Sequence, residues 1–150
     1  MIIDPASAGF FNAYIEPMKD QEFLTAFGSA QLPPDQFDHK AHLRLAYLQI
    51  KQHGRDTASE LISKQIKDYT IHWGAATKYH QTLTQAAVYT MSQFMDRKPE
   101  LGFEDLLRHF PRLLTGFNEL IGQHYSKDLL ASEEARERYL EPDKLPFDVA

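Results

Sequence analysis

Between Ala58 and Trp73 the apolar residues Ala58, Leu61, Ile62, Ile66, Tyr69 and Trp73 recur three or four positions apart. That is the spacing of one face of an amphipathic helix. Asp56 or Thr57 is placed to cap it and Gly74 to end it. A second stripe runs through Leu83, Ala87, Val88, Met91, Phe94 and Met95. It predicts a helix capped by Thr77 and continuing to about Lys98, before Pro99. The stretch from Asp35 or Asp38 to His53 is apolar nearly all round, with Gly54 as its stop. A helix of that kind sits in the middle of a bundle. Shorter helices are expected from Asp20 to Gly28, from Phe103 to Phe110, and from Ser132 to Arg138 or Leu140. A further helix spans Leu113 to about Tyr125, weakened by Gly116 and Gly122. Pro33-Pro34 breaks the chain between the first two helices. No segment alternates strictly between apolar and polar, and no Asn-Gly hairpin signal occurs. The pattern predicts an all-α fold, a single compact helical bundle over residues 1–150. About four longer helices carry it, with short flanking helices, an irregular arm at 1–17 and a tail at 143–150.

Composition narrows the function classes. The 150 residues include no cysteine, which excludes a disulfide scaffold, a cysteine nucleophile and zinc or iron–sulfur sites built on thiolates. The formal charge of −5 argues against a nucleic-acid binder, which needs a basic face. No run approaches the roughly 18 apolar residues of a membrane span, and the N-terminus lacks a signal-peptide pattern. A cytoplasmic protein is therefore expected. Phosphate-binding glycine loops, nucleophile elbows and H-E-x-x-H pairs are all missing.

The seven histidines carry the remaining signal. Each helical residue turns about 100° around the axis. Lys40, Arg44 and Lys51 fall within about 40° of one another, which marks the solvent face of their helix. His42 lies roughly 180° from the centre of that stripe, and His39 about 60° further round. Both are expected to point inward near the helix N-terminus. His80 falls within the apolar stripe of its own helix, near that helix's start. Three imidazoles could thus converge, and neutral imidazole is the commonest biological ligand for transition metals. Water, substrate or a carboxylate from Asp38, Glu119, Glu141 or Asp143 would complete the coordination. His53, His72 and His109 sit at helix ends, where a cation suits the dipole. His124 is a weaker site candidate.

Three motifs stand out together: Phe37-Asp38-His39-Lys40-Ala41-His42-Leu43, Lys78-Tyr79-His80-Gln81-Thr82-Leu83-Thr84, and Ser132-Glu133-Glu134-Ala135-Arg136 followed by Glu141-Pro142-Asp143. In them the chain resembles an uncharacterised family of small bacterial helical proteins. The resemblance covers about residues 37 to 146 and implies no activity. It places His39, His42, His80, Thr84, Arg136 and Asp143 in the shared pattern, and leaves His53 and His72 outside it. At His124 the family pattern has an aromatic residue, which argues against that histidine as a ligand.

These residues lead to a first expectation: a small-molecule metalloenzyme with a divalent transition metal (zinc, iron or copper) on His39, His42 and His80. Arg136 would meet an anionic substrate group, and Tyr79 and Thr84 would line the pocket. A second reading drops the metal and uses His42 and His80 as acid–base or binding groups. A third is a non-enzymatic interaction module whose histidines are structural. Oligomerisation is left open.

Overall fold

Residues 18–147, described in a computed structural model, form helices and no strand. The expected N-terminal arm, residues 1–17, lies outside the described residues, as does the end of the tail. Among the described residues nine α-helices follow one another: α1 (Asp20–Gly28), α2 (His39–His53), α3 (Arg55–His72), α4 (Gln81–Arg97), α5 (Phe103–His109), α6 (Arg112–Thr115), α7 (Phe117–Gly122), α8 (Lys127–Ala131) and α9 (Glu133–Glu137). Two 3-10 turns, Pro34–Gln36 and Ala76–Lys78, precede α2 and α4. The all-α expectation holds.

Local chemistry explains the helix ends. Gly74 has φ +72°, Ala75 N–H bonds Thr70 O at 2.7 Å, and Gly74 N–H bonds Ile71 O at 3.2 Å. This is the left-handed C-terminal cap that glycine favours. At the end of α1 the same geometry falls on Ala30, with φ 60° and Gln31 N–H bonding Ala26 O at 2.8 Å. The chain therefore turns two residues after Gly28, not at it.

Three differences from the expected boundaries bear on the site. The helix expected from Thr77 begins at Gln81, with Tyr79 extended and His80 as its N-cap. The helix expected over Leu113–Tyr125 is split into α6 and α7 at Gly116, whose φ of −143° and ψ of 31° interrupt the helical path. Ser126 then caps α8, a helix absent from the sequence reading, by accepting from Leu129 N–H at 3.1 Å.

The long helices α2, α3 and α4 pack against one another in all three pairings. Leu45, Ala58, Ile62, Val88 and Met91 are buried among them. Their burial from water is the main stabilising term, on the order of 1.5–3 kcal/mol for each large side chain. Helix α1 closes one side against α3, and Phe27, Phe37 and Tyr69 form an aromatic cluster there with ring centroids 4.7–5.1 Å apart. Tyr69 O–H anchors the connection by donating to Leu32 O at 2.7 Å. Helices α7 and α9 pack on the other side of α4.

Residues 138–147 form a strap across α4, α7 and α8 and are not a loose tail. Thr82 O–H donates to Arg138 O at 2.7 Å and accepts from Leu140 N–H at 3.0 Å. Tyr125 O–H donates to Leu140 O at 2.8 Å, and burial raises its pKa. Asp143 accepts from Ser126 N–H at 2.8 Å and from Ser126 O–H at 2.5 Å. These bonds to the charged form hold the Asp143 carboxyl below its ordinary 3.8. A depressed carboxylate pKa stabilises the fold above the unfolded value and stops doing so as pH falls through the folded one. Asp143→Asn is therefore expected to melt at a lower temperature than the parent at neutral pH. The two melting curves should converge below pH 3.8. An equal gap at both pH values would show that the charge contributes nothing.

Candidate functional site

The expected three-histidine centre is not assembled. His39 turns away from α4: its Nε2–H donates to Leu113 O at 2.8 Å, and its ring meets Phe117 edge-on at 5.1 Å. His80 spends both ring nitrogens on the backbone. Its Nδ1 accepts from Leu83 N–H at 3.0 Å, capping α4, which leaves Nε2–H to donate to Leu130 O at 2.8 Å. A nitrogen that already accepts an N–H has no lone pair for a metal, and a protonated one has none either. Among the described residues no group of three or more His, Asp or Glu stands where it could hold an ion. The metalloenzyme reading and its His39, His42, His80 ligand set are corrected on this geometry.

Two of the carboxylates considered as further ligands have other work. Asp38 caps α2 by accepting from Ala41 N–H at 2.9 Å, and Asp143 holds Ser126. Arg136 donates to Thr77 O and lies 3.8 Å from Glu133, so it ties the Ala76–Lys78 turn to α9. Thr84 O–H donates to His80 O at 2.7 Å. Ser132 caps α9, and Ala135 behind it is fully buried. These residues of the three motifs are thus explained by helix caps and ties between segments. His124 is buried, donates from Nδ1 to Leu145 O at 2.7 Å, and stacks on Phe147 at 4.0 Å.

His42 is the exception. Its Nδ1–H donates to Asp38 O at 2.7 Å, and its ring stacks on Phe37 with centroids 3.7 Å apart. Nε2 is then an acceptor, and it has no hydrogen-bond partner among the described residues. The ring faces a cavity of about 320 Å³ between α2, α3 and α4. Ala46, Ile62, Ile66, Ala87 and Val88 give that cavity apolar walls. His80, Tyr79, Thr84 and Lys78 lie along its polar side. Tyr79 O–H is committed to Gln81 Oε1 at 2.5 Å, and burial raises the Tyr79 pKa.

His42 was expected to be buried, and it is exposed. The helical angle was right in direction and wrong about cover. Ala46, one turn on, is buried against the core, but at the first turn of α2 the inward direction opens into the cavity. Lys40 and Lys51 are exposed as expected. Arg44 is half-buried, with its guanidinium 4.6 Å over the Phe23 ring and a 2.8 Å pair to Asp20. Desolvation by the surrounding chain lowers the His42 pKa from 6.5, and the charge of His39 adds to this. The Asp38 carbonyl and carboxylate oppose it. The net result is a neutral imidazole at pH 7 with a free lone pair.

Sequence reasoning did not find the cavity or the parts of Phe37 and Lys78 in it. An aromatic residue five positions before His42 was visible, but nothing in the spacing said that the two rings stack. No protein-family model, no curated protein and no solved structure matches this chain. The resemblance to a bacterial helical family rests on the three motifs alone. Among the described residues no helix is long and apolar enough to cross a membrane.

Proposed function

We propose that this chain binds a small, largely apolar molecule in the α2–α3–α4 cavity, with His42 accepting a hydrogen bond from its polar group. The observation that carries this reading is the unpartnered Nε2 of His42 on the wall of an apolar cavity. Pockets for small molecules combine apolar walls with a few placed polar groups in this way. The ligand needs a donor, such as a hydroxyl or N–H. Lys78, exposed on the cavity lining, favours an anionic group elsewhere on the ligand.

A catalytic reading draws on the same atom. A histidine fixed at Nδ1 by a carbonyl presents Nε2 as a general base. The neighbouring polar groups are already engaged: both nitrogens of His80, the hydroxyl of Thr84 and that of Tyr79. Binding is therefore the better supported of the two.

The test is a calorimetric and NMR screen of small phenols, indoles and hydroxylated aromatic acids. A hit should move the His42 ring resonances. Ala87→Leu, which fills the cavity from α4, should abolish binding without changing the helical spectrum. Affinity should also fall as pH drops below 6.5, through the lowered His42 pKa, because protonated Nε2 cannot accept. Lys78, Tyr69, Tyr79 and His80 also line the cavity, so His42→Gln serves as the control that should flatten this profile. Binding that Ala87→Leu leaves intact would remove the proposal.

A further inference from the structure

A second cavity, of about 510 Å³, lies on the other side of α4, where α4 meets the α5–α6 connection and the end of α7. Its lining has a different chemistry. Among the described residues Arg97 and Arg112 both contribute to it, and no carboxylate does. The Arg97 guanidinium lies 4.6 Å over the Phe94 ring and has no carboxylate partner among the described residues. Among the described residues the nearest carboxylate to Arg112 is the exposed Glu119, at 3.8 Å, too far for a charge-assisted hydrogen bond. Two guanidinium forks with unspent donors therefore border one cavity, over an edge-to-face pair of Phe94 and Phe110 at 5.0 Å.

A buried group points to a ligand independently. His124 lines the same cavity and is only 4% exposed. Its Nδ1 is committed to Leu145 O, which leaves Nε2 without a protein partner among the described residues, on the cavity wall. Thr90, 1% exposed on the same wall, has a buried Oγ1 with no partner among the described residues. Buried polar atoms in native structures are nearly always hydrogen-bonded, so this orphaned hydroxyl calls for an explanation.

We propose that this cavity is a binding site for a small phosphomonoester, its phosphate held between Arg97 and Arg112 and hydrogen-bonded to Nε2 of His124. Guanidinium groups match phosphate oxygens in shape and charge. A phosphomonoester carries about −1.5 to −2 at pH 7, which suits two arginines better than a single carboxylate does. Its second pKa is about 6, so near neutral pH a fraction still carries a proton that it can donate to Nε2. The volume exceeds what the phosphate alone fills, and the aromatic floor would take the organic part. The site is separate from the His42 cavity and does not rest on it.

The experiment is calorimetric and NMR titration of the full chain at low salt with phenyl phosphate, inorganic phosphate and citrate. Phenyl phosphate should saturate, bind more tightly than inorganic phosphate or citrate, and move the His124 ring nitrogen resonances. Arg97→Gln and Arg112→Gln should each weaken it about tenfold or more, the worth of one charge-assisted hydrogen bond. Arg108→Gln, an exposed neighbour outside the lining, should leave it unchanged. No saturation by about 10 mM, a weakness beyond roughly −3 kcal/mol, would overturn the proposal. Equal losses in all three variants, or tighter binding of citrate, would overturn it too.

Discussion

Thr82→Val is expected to destabilise the fold by about 2–4 kcal/mol, although valine has nearly the same shape. Thr82 is 0% exposed, and its hydroxyl serves two backbone groups of the strap at once. It donates to Arg138 O at 2.7 Å and accepts from Leu140 N–H at 3.0 Å. Valine removes both bonds and leaves a carbonyl and an N–H without partners beside α4. Each buried orphan costs about 1–3 kcal/mol, and Arg138, being exposed, recovers part of its share through water. Urea unfolding should show a lower midpoint with an unchanged slope, because the native surface is the same. Amide exchange at Leu140 should rise first. Thr82→Ser, which keeps the hydroxyl, should recover most of the loss. A Val variant within about 0.5 kcal/mol of the parent would mean that the strap contributes little to stability.

Much of this fold was legible because it depends on local chemistry. The stripe from Ala58 to Tyr69 gave α3, and Gly54 and Gly74 gave the ends of α2 and α3: both have positive φ, which other residues adopt at a cost. The start of α3, expected at a cap on Asp56 or Thr57, falls at Arg55 directly behind Gly54, with no side-chain cap. The absence of alternation gave the all-α class. What failed were features decided by partners far along the chain. Thr77 is a good capping residue, so α4 was expected to start there. Its true cap is His80, a residue type outside the usual cap set, and Leu130, fifty positions on, fixes its ring.

The site was legible only in part for the same reason. Angular position on α2 identified His42 as facing inward, and it does. Angle cannot say whether the space inside is filled. It also treated His39 and His42 as neighbours, whereas the Leu113 carbonyl draws one ring to α6 and Phe37 draws the other to the cavity. The Arg97, Arg112 and His124 cavity had no sequence signature at all, because three separate segments supply it.

His80 divides the structural account from any account that makes it a ligand or a proton carrier. His80→Ala is expected to cost about 2–3 kcal/mol, from two separable losses. One is the cap on Leu83 N–H, worth about 1 kcal/mol. The other is the tie to Leu130 O, whose carbonyl would be left without its donor in a half-buried place. His80→Asn separates them. Asparagine is a preferred N-cap, so it should restore about 1 kcal/mol, but its shorter side chain does not reach across to Leu130. The ordering parent, Asn, Ala should appear in urea midpoints and be unchanged by a chelator. In the Asn variant, amide exchange near Leu83 should stay slow while the segment around Leu130 loosens. A ligand or acid–base role gives another result: Asn would be as damaging to function as Ala while stability hardly moved. Equal stability of all three proteins would show that neither backbone bond matters to the fold. The double use of the ring would then need another reason.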